Sequence, residues 1–185
     1  MSDQKLLLDA AAGDQAAFRA LYDRHRDAVY RFAWALTRSQ VDAEEIAQDS
    51  FLTLIGKASE FRPEAASLRT WLLGMTRNLC YRRRAQAESA GDAIPEIPDP
   101  STQAAVEDSL IRRETADAVR RAVWLLPAAQ REAVVLFELE ELSLAETAAV
   151  LGIEANAVKA RLFRGREKLK EMLPSLIPQG RNRYA

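Results

Sequence analysis

The segment AESAGDAIPEIPDPSTQ, residues 87–103, limits what this chain can fold into. It holds three prolines, one glycine and no basic residue, a composition that sustains neither a helix nor a strand for long. It divides the 185 residues into an N-terminal module of about 85 and a C-terminal module of about 75, each near the low end of autonomous domain size. In both, apolar residues recur at intervals of three and four, and no alternating run bounded by turn residues appears. The expectation is an all-α fold: two small helical domains, 10–86 and 110–174, joined by a flexible acidic linker, 87–109. There is no internal repeat.

Composition removes several classes of function. One cysteine, Cys80, and one histidine, His25, cannot build a disulfide framework or a Cys/His metal site. No glycine-rich phosphate loop or Ser/His/Asp set is present, so neither an enzyme nor a cofactor is expected. The N-terminus MSDQKLLLDAAAGDQ lacks a basic region leading into an apolar run, and no window approaches the roughly 18 apolar residues of a membrane span. The expected location is the cytoplasm, without membrane insertion. A formal charge of −1 conceals strong segregation: residues 61–84 carry +5, 85–118 carry −6 and 150–185 carry +5. Two basic blocks flanking an acidic middle suit two separate contacts with a polyanion, although basic helix ends also arise simply from the helix dipole.

In the N-terminal module Leu8, Phe18, Leu21, Tyr22, Val29, Phe32, Ala33 and Leu36 are expected to line two helices. The stretch DAEEIAQDSFLTLIGKA opens with Asp42 and Glu45 at capping-box spacing, with Ala47, Phe51, Leu54 and Ala58 as its buried stripe. Asp42, Glu45, Asp49 and Leu52 then form an acidic outer face carrying an apolar residue, which by itself reads equally as a solvated surface. After EFRPEAASLRTW, a break containing Pro63, comes a helix with Leu68, Leu72, Met75 and Leu79 as its core stripe. Trp71, Arg77, Asn78, Tyr81 and Arg84 fall off that stripe, and such residues stack on unpaired bases, read base edges and neutralise phosphates. Trp71 wedged back into the core is the other reading.

The C-terminal module begins with a helix carrying Leu110, Ile111, Val119, Val123 and Trp124. Pro127 stands just inside the next helix start, where its missing N–H costs nothing, and a helix over 128–140 follows. LSLAETAAVLGIEANAVKARLFRGREKL, residues 142–169, has the spacing of a helix-turn-helix. Ser143 and Glu146 make a capping box, Ala148 permits close approach of a crossing helix, Gly152 supplies the turn, and Val158 and Leu162 anchor the second helix. Opposite them lie Asn156, Lys159, Ala160, Phe163 and Arg164, a set suited to reading bases in a major groove. An aromatic on the exposed side of a basic helix has no folding reason to be there. A helical hairpin that merely packs is the plainer alternative.

Four blocks now stand in order: GDQAAFRALYDRH, DAEEIAQDSFLTLI, FRPEAASLRTWLLGMTRNL and LPAAQREAVVLFELEELSLAETAAVLGIEANAVKARLFRGREKL. Over about residues 10–172 they resemble a bacterial sigma factor of the extracytoplasmic-function group of the sigma-seventy family. The resemblance implies a transcription initiation factor whose partners are core RNA polymerase, through the clamp helices of β′ and the β flap, promoter DNA, and an anti-sigma factor. It implies polymerase contacts at Asp42, Glu45, Gln48, Asp49 and Leu52. It implies minus-ten contacts at Phe61, Arg62, Trp71, Arg77, Asn78, Tyr81 and Arg84, and minus-thirty-five contacts at Asn156, Lys159, Phe163 and Arg164. Ala160 stands where a serine is common in the family. It also implies a connector role for the acidic linker near the RNA exit path. A stand-alone helix-turn-helix regulator is the alternative, and it leaves the acidic face of Asp42, Glu45 and Asp49 unexplained.

Overall fold

The computed structural model describes residues 1–90 and 110–176, and among these residues there are eight α-helices and no strand. The N-terminal module contains α1 (Asp3–Ala11), α2 (Gln15–Thr37), α3 (Gln40–Gly56) and α4 (Leu68–Ala90). The C-terminal module contains α5 (Leu110–Leu125), α6 (Ala128–Val134), α7 (Leu144–Leu151) and α8 (Ala155–Leu176). Of the predicted linker, 91–109 lies outside the described residues. Its first four residues instead extend α4, where Arg84 pairs with Glu88 at 2.7 Å one turn on.

Polar side chains define the helix starts. Asp14 caps α2 by accepting from the amides of Ala16 and Ala17 at 2.8 and 3.1 Å. α2 ends at Arg38 in a left-handed conformation (φ 59°), and Ser39 immediately caps α3 by accepting from the Asp42 amide at 3.2 Å. The capping box expected at Asp42 and Glu45 therefore does not form. The helix begins earlier, and Asp42 sits within its first turn, where its charge still meets the positive end of the dipole.

Leu6, Leu7, Ala10, Leu21, Phe51, Leu54, Leu68 and Leu72 make the N-terminal core. The stripe Ala47, Phe51, Leu54 and Ala58 is buried as expected. Leu8 is not: it is 53 % exposed, because α1 turns Leu6 and Leu7 inward. On α4, Leu68 and Leu72 are buried while Met75 and Leu79 are only partly so, and Leu73, Thr76 and Cys80 are buried as well. The buried surface of α4 is wider than one stripe because the C-terminal module packs on its other side.

A second core crosses between the modules. Phe32, Ala35 and Leu73 join Val123, Leu126, Val134, Leu136, Val150 and Leu162, and the Trp34 and Trp124 rings meet edge-on with centroids 4.1 Å apart. Pro127 occupies the N-cap of α6, one position before the expected one. The helix expected over 128–140 is not regular. It passes at Val135–Leu139 into a π-helical turn, with the Glu140 amide donating to Val135 O at 2.9 Å. α7 opens on the capping box of Ser143 and Glu146 and closes at Gly152, φ 65°, as the helix-turn-helix spacing requires. Gly165 lets α8 approach α6: an added Cβ there would lie 2.9 Å from Val134.

Candidate nucleic-acid interface

The outer face of α3 is built as its spacing implies. Glu45, Gln48, Asp49 and Leu52 are exposed, Leu52 by 67 %, and Asp42 is partly buried. Val41, 64 % exposed, continues the same face, because α3 begins before the expected start at Asp42. Arg83 of α4 crosses to this face, reaching Asp42 at 2.9 Å and Glu45 at 2.5 Å. Its hydrogen bond to Glu45, followed by that to Asp42, raises the guanidinium pKa above its ordinary value.

Between α3 and α4, Arg62 is exposed and donates to the carbonyls of Ser59 and Phe61 at 2.9 and 3.1 Å. Phe61 packs on Trp71 with centroids 5.3 Å apart, and both rings lean on the N-terminal core. Trp71 is thus half-buried, with part of its surface turned outward. Asn78 and Arg84 are exposed. Arg77 and Tyr81 are committed across the modules instead. Arg77 Nε donates to Glu132 at 3.2 Å, Tyr81 donates to the other oxygen of the same carboxylate at 2.5 Å, and the Arg77 guanidinium lies 4.7 Å from the Tyr81 ring centre. Burial, then the bond to Glu132, pushes the Tyr81 hydroxyl pKa up.

Glu132 is one of three glutamates of the C-terminal module that meet α2 and α4. Glu140, fully buried, accepts two hydrogen bonds from Arg31 at 2.8 and 2.9 Å and one from Arg69 at 2.7 Å. Glu146 accepts from Thr70 at 3.1 Å and Ser67 at 3.4 Å. Its carboxyl pKa is held low, first by the Ser143 amide of the capping box. The sequence carried one sign of this seam: the acids of VVLFELEEL interrupt an apolar run. Their partners, distant in the chain, had none.

On α8, Val158, Leu162 and Gly165 are buried, while Asn156, Lys159, Phe163 and Arg164 are exposed. Ala160 is half-buried beneath the Arg164 side chain, whose Nε donates to its carbonyl at 3.1 Å. Phe163 is 66 % exposed, so the face opposite the α8 core is a basic surface with an aromatic at its centre. Among the described residues there is no metal-holding group of His, Cys, Asp and Glu, and no helix long and apolar enough to cross a membrane.

A helix-turn-helix with a free basic face, docked on a second helical module with an acidic and apolar face, defines a DNA-binding protein of two parts. Residues 21–89 match the family model for sigma-70 region 2, and residues 116–169 match that for sigma-70 region 4. The ECF RNA polymerase sigma factor SigM of Mycobacterium tuberculosis is 37% identical over 172 residues, covering 93% of this chain and 85% of that protein. Two solved structures share the architecture. CnrH in complex with the cytosolic domain of CnrY has a TM-score of 0.67 at 27% identity, over 95% of this chain and 99% of that one. The sigma factor RpoE in complex with the anti-sigma factor NepR, from Bartonella quintana, has a TM-score of 0.68 at 25% identity, over 85% and 96%. The chain belongs to the ECF sigma factors of the sigma-70 family: it is a transcription initiation factor that works with core RNA polymerase on promoter DNA, and not an enzyme.

Proposed function

We propose that the modules, residues 10–86 and 110–174 with 87–109 as connector, divide the work of initiation between the surfaces just described. Asp42, Glu45, Gln48, Asp49 and Leu52 dock on the clamp helices of β′, while the C-terminal module meets the β flap. Phe61, Arg62, Trp71, Arg77, Asn78, Tyr81 and Arg84 take the opened minus-ten strand, where a flipped base is recovered by stacking and pocket contacts. Asn156, Lys159, Phe163 and Arg164 read the minus-thirty-five element from the major groove. The protein acts in the cytoplasm, where its polymerase is.

The observation that carries this reading is the exposed face of α3, where Leu52 and Val41 stand clear of every core among acids. Arg77 and Tyr81 add a condition. Both are tied to Glu132, so the modules must part before either meets DNA, and a phosphate or base then replaces the carboxylate. Control by an anti-sigma factor is supported by two similar proteins, since RpoE was solved with one and CnrH with the cytosolic domain of CnrY.

Purified chain mixed with bacterial core RNA polymerase is expected to co-elute on a sizing column, and Asp49→Arg to lose that co-elution while remaining folded. Failure of the unmodified folded chain to bind would overturn the assignment of α3.

A further inference from the structure

A cavity of about 490 Å³ runs along the seam, lined by Leu36, Arg38, Cys80 and Tyr81 from the N-terminal module and by Ala128 and Arg131 from the C-terminal one. The carboxylates along its wall already have cations: Asp42 has Arg83 at 2.9 Å, Glu88 has Arg84 at 2.7 Å, and Glu132 has Arg77 at 3.2 Å. Among the described residues, Arg38 and Arg131 lack such a partner. Arg131, 6 % exposed, donates through Nη1 to the Trp124 carbonyl at 2.8 Å, and Arg38 donates through Nη2 to the same oxygen at 2.5 Å. Among the described residues the Nε–H of each has no acceptor.

A carbonyl oxygen carries only a partial charge. Two guanidinium groups drawn onto one oxygen and partly withdrawn from water therefore remain positive, with a free donor apiece. Burial, then the nearby Arg38, brings the Arg131 pKa down to about 10, so Arg131 is still a cation at neutral pH. Buried donors without acceptors ordinarily mark the place of an ion or a water. Guanidinium forks match the oxygens of phosphate, which can accept from several donors at once. The volume lies within the roughly 300–1,000 Å³ of small-molecule sites, and Leu36, Ala128 and the Tyr81 ring offer apolar wall beside the charge.

We propose that the seam cavity binds a small phosphorylated molecule, whose phosphate accepts from Arg38 of one module and Arg131 of the other and so holds the two closed. Such a ligand binds only the docked form and shifts the population toward it. Asp42 of the α3 face stands on the cavity wall but is held by Arg83, and Arg38 and Arg131, which carry the site, belong to neither the α3 nor the α8 face, so phosphate binding can fail while polymerase binding holds.

The test is thermal unfolding of the full chain with inorganic pyrophosphate in one arm and adenosine monophosphate in the other, each against sodium chloride at equal ionic strength. At about a hundredfold excess over Kd, the midpoint is expected to rise by roughly 5–10 °C in at least one arm. A response to pyrophosphate alone identifies a free anion, and a stronger response to the nucleotide identifies a phosphate ester; either supports the site. Arg38→Gln, at a partly buried helix end that leaves the core packing in place, should abolish the rise. Labelling of Cys80, which lines the same cavity, should slow at least tenfold with the ligand. No rise beyond that of salt, an equal rise in Arg38→Gln, or an unchanged Cys80 rate overturns the proposal.

Discussion

At the scale of single residues, the fold holds several groups in states that the unfolded chain would not choose. Glu141 has φ 53°, a left-handed conformation that costs a residue with a Cβ about 1–2 kcal/mol. Glycine pays none of that, but loses more entropy on folding. Glu141→Gly is therefore expected to stabilise the chain by about 0.5–1 kcal/mol, seen as a rise of roughly 1–4 °C in the unfolding midpoint. His25 is buried, and burial, opposed by Asp3, lowers its pKa below the ordinary 6.5. The folded imidazole stays neutral where the unfolded one takes a proton, so its contribution to stability is complete above pH 6.5 and is lost as the pH falls from there. Acidification from pH 7.5 to 5.5 should thus lower the midpoint of the unmodified chain more than that of His25→Gln.

At the scale of elements, what could be read in the sequence was local. The box of Ser143 and Glu146, the Gly152 turn and the Val158–Leu162 anchor each require residues a few positions apart, and all three form. The exposed Phe163 also follows, because a helix with a filled apolar stripe has no second place to bury an aromatic. The start of α3 differs from the expected one because two acids imitate a capping box while Ser39, three residues before Asp42, makes the actual cap. Leu8 faces outward against expectation because LLL offers three registers on a helix of only nine residues. Gly165 has an element-scale consequence. Its Cβ would press on Val134, a buried β-branched side chain with little freedom to move. Gly165→Ala should cost about 1–3 kcal/mol by urea unfolding, and the double variant with Val134→Ala should cost less than the two single costs summed, because the residues touch.

At the scale of the whole molecule, the sequence announced two modules, and the four matching blocks announced which ones. Nothing in it announced that they close on each other. That closure rests on pairs more than fifty residues apart, Arg77 with Glu132 and Arg31 and Arg69 with Glu140, and periodicity within an element carries no trace of them. The candidate contacts on α3 and α8 were legible because they are surfaces of single helices; the engagement of Arg77 and Tyr81 was not, because it belongs to the pair of modules. Glu132→Gln with Glu140→Gln keeps the side-chain shapes but removes both buried charges, each a charge-assisted acceptor worth roughly 1–3 kcal/mol. The double variant is expected to show a larger radius of gyration by small-angle scattering, with both modules still helical. An unchanged radius would mean that the shared apolar core alone keeps the seam shut.

The π-helical turn at Val135–Leu139 stands directly before the most buried of these acids. It accommodates one residue more than an α-helix would over the same rise. Each residue of an α-helix turns the chain by about a quarter of a circle or slightly more. The surplus residue therefore acts as a phase shim: it sets the rotation at which Glu140 leaves α6, and deleting a single position within the turn would point that carboxylate away from Arg31 and Arg69 without removing any of the three.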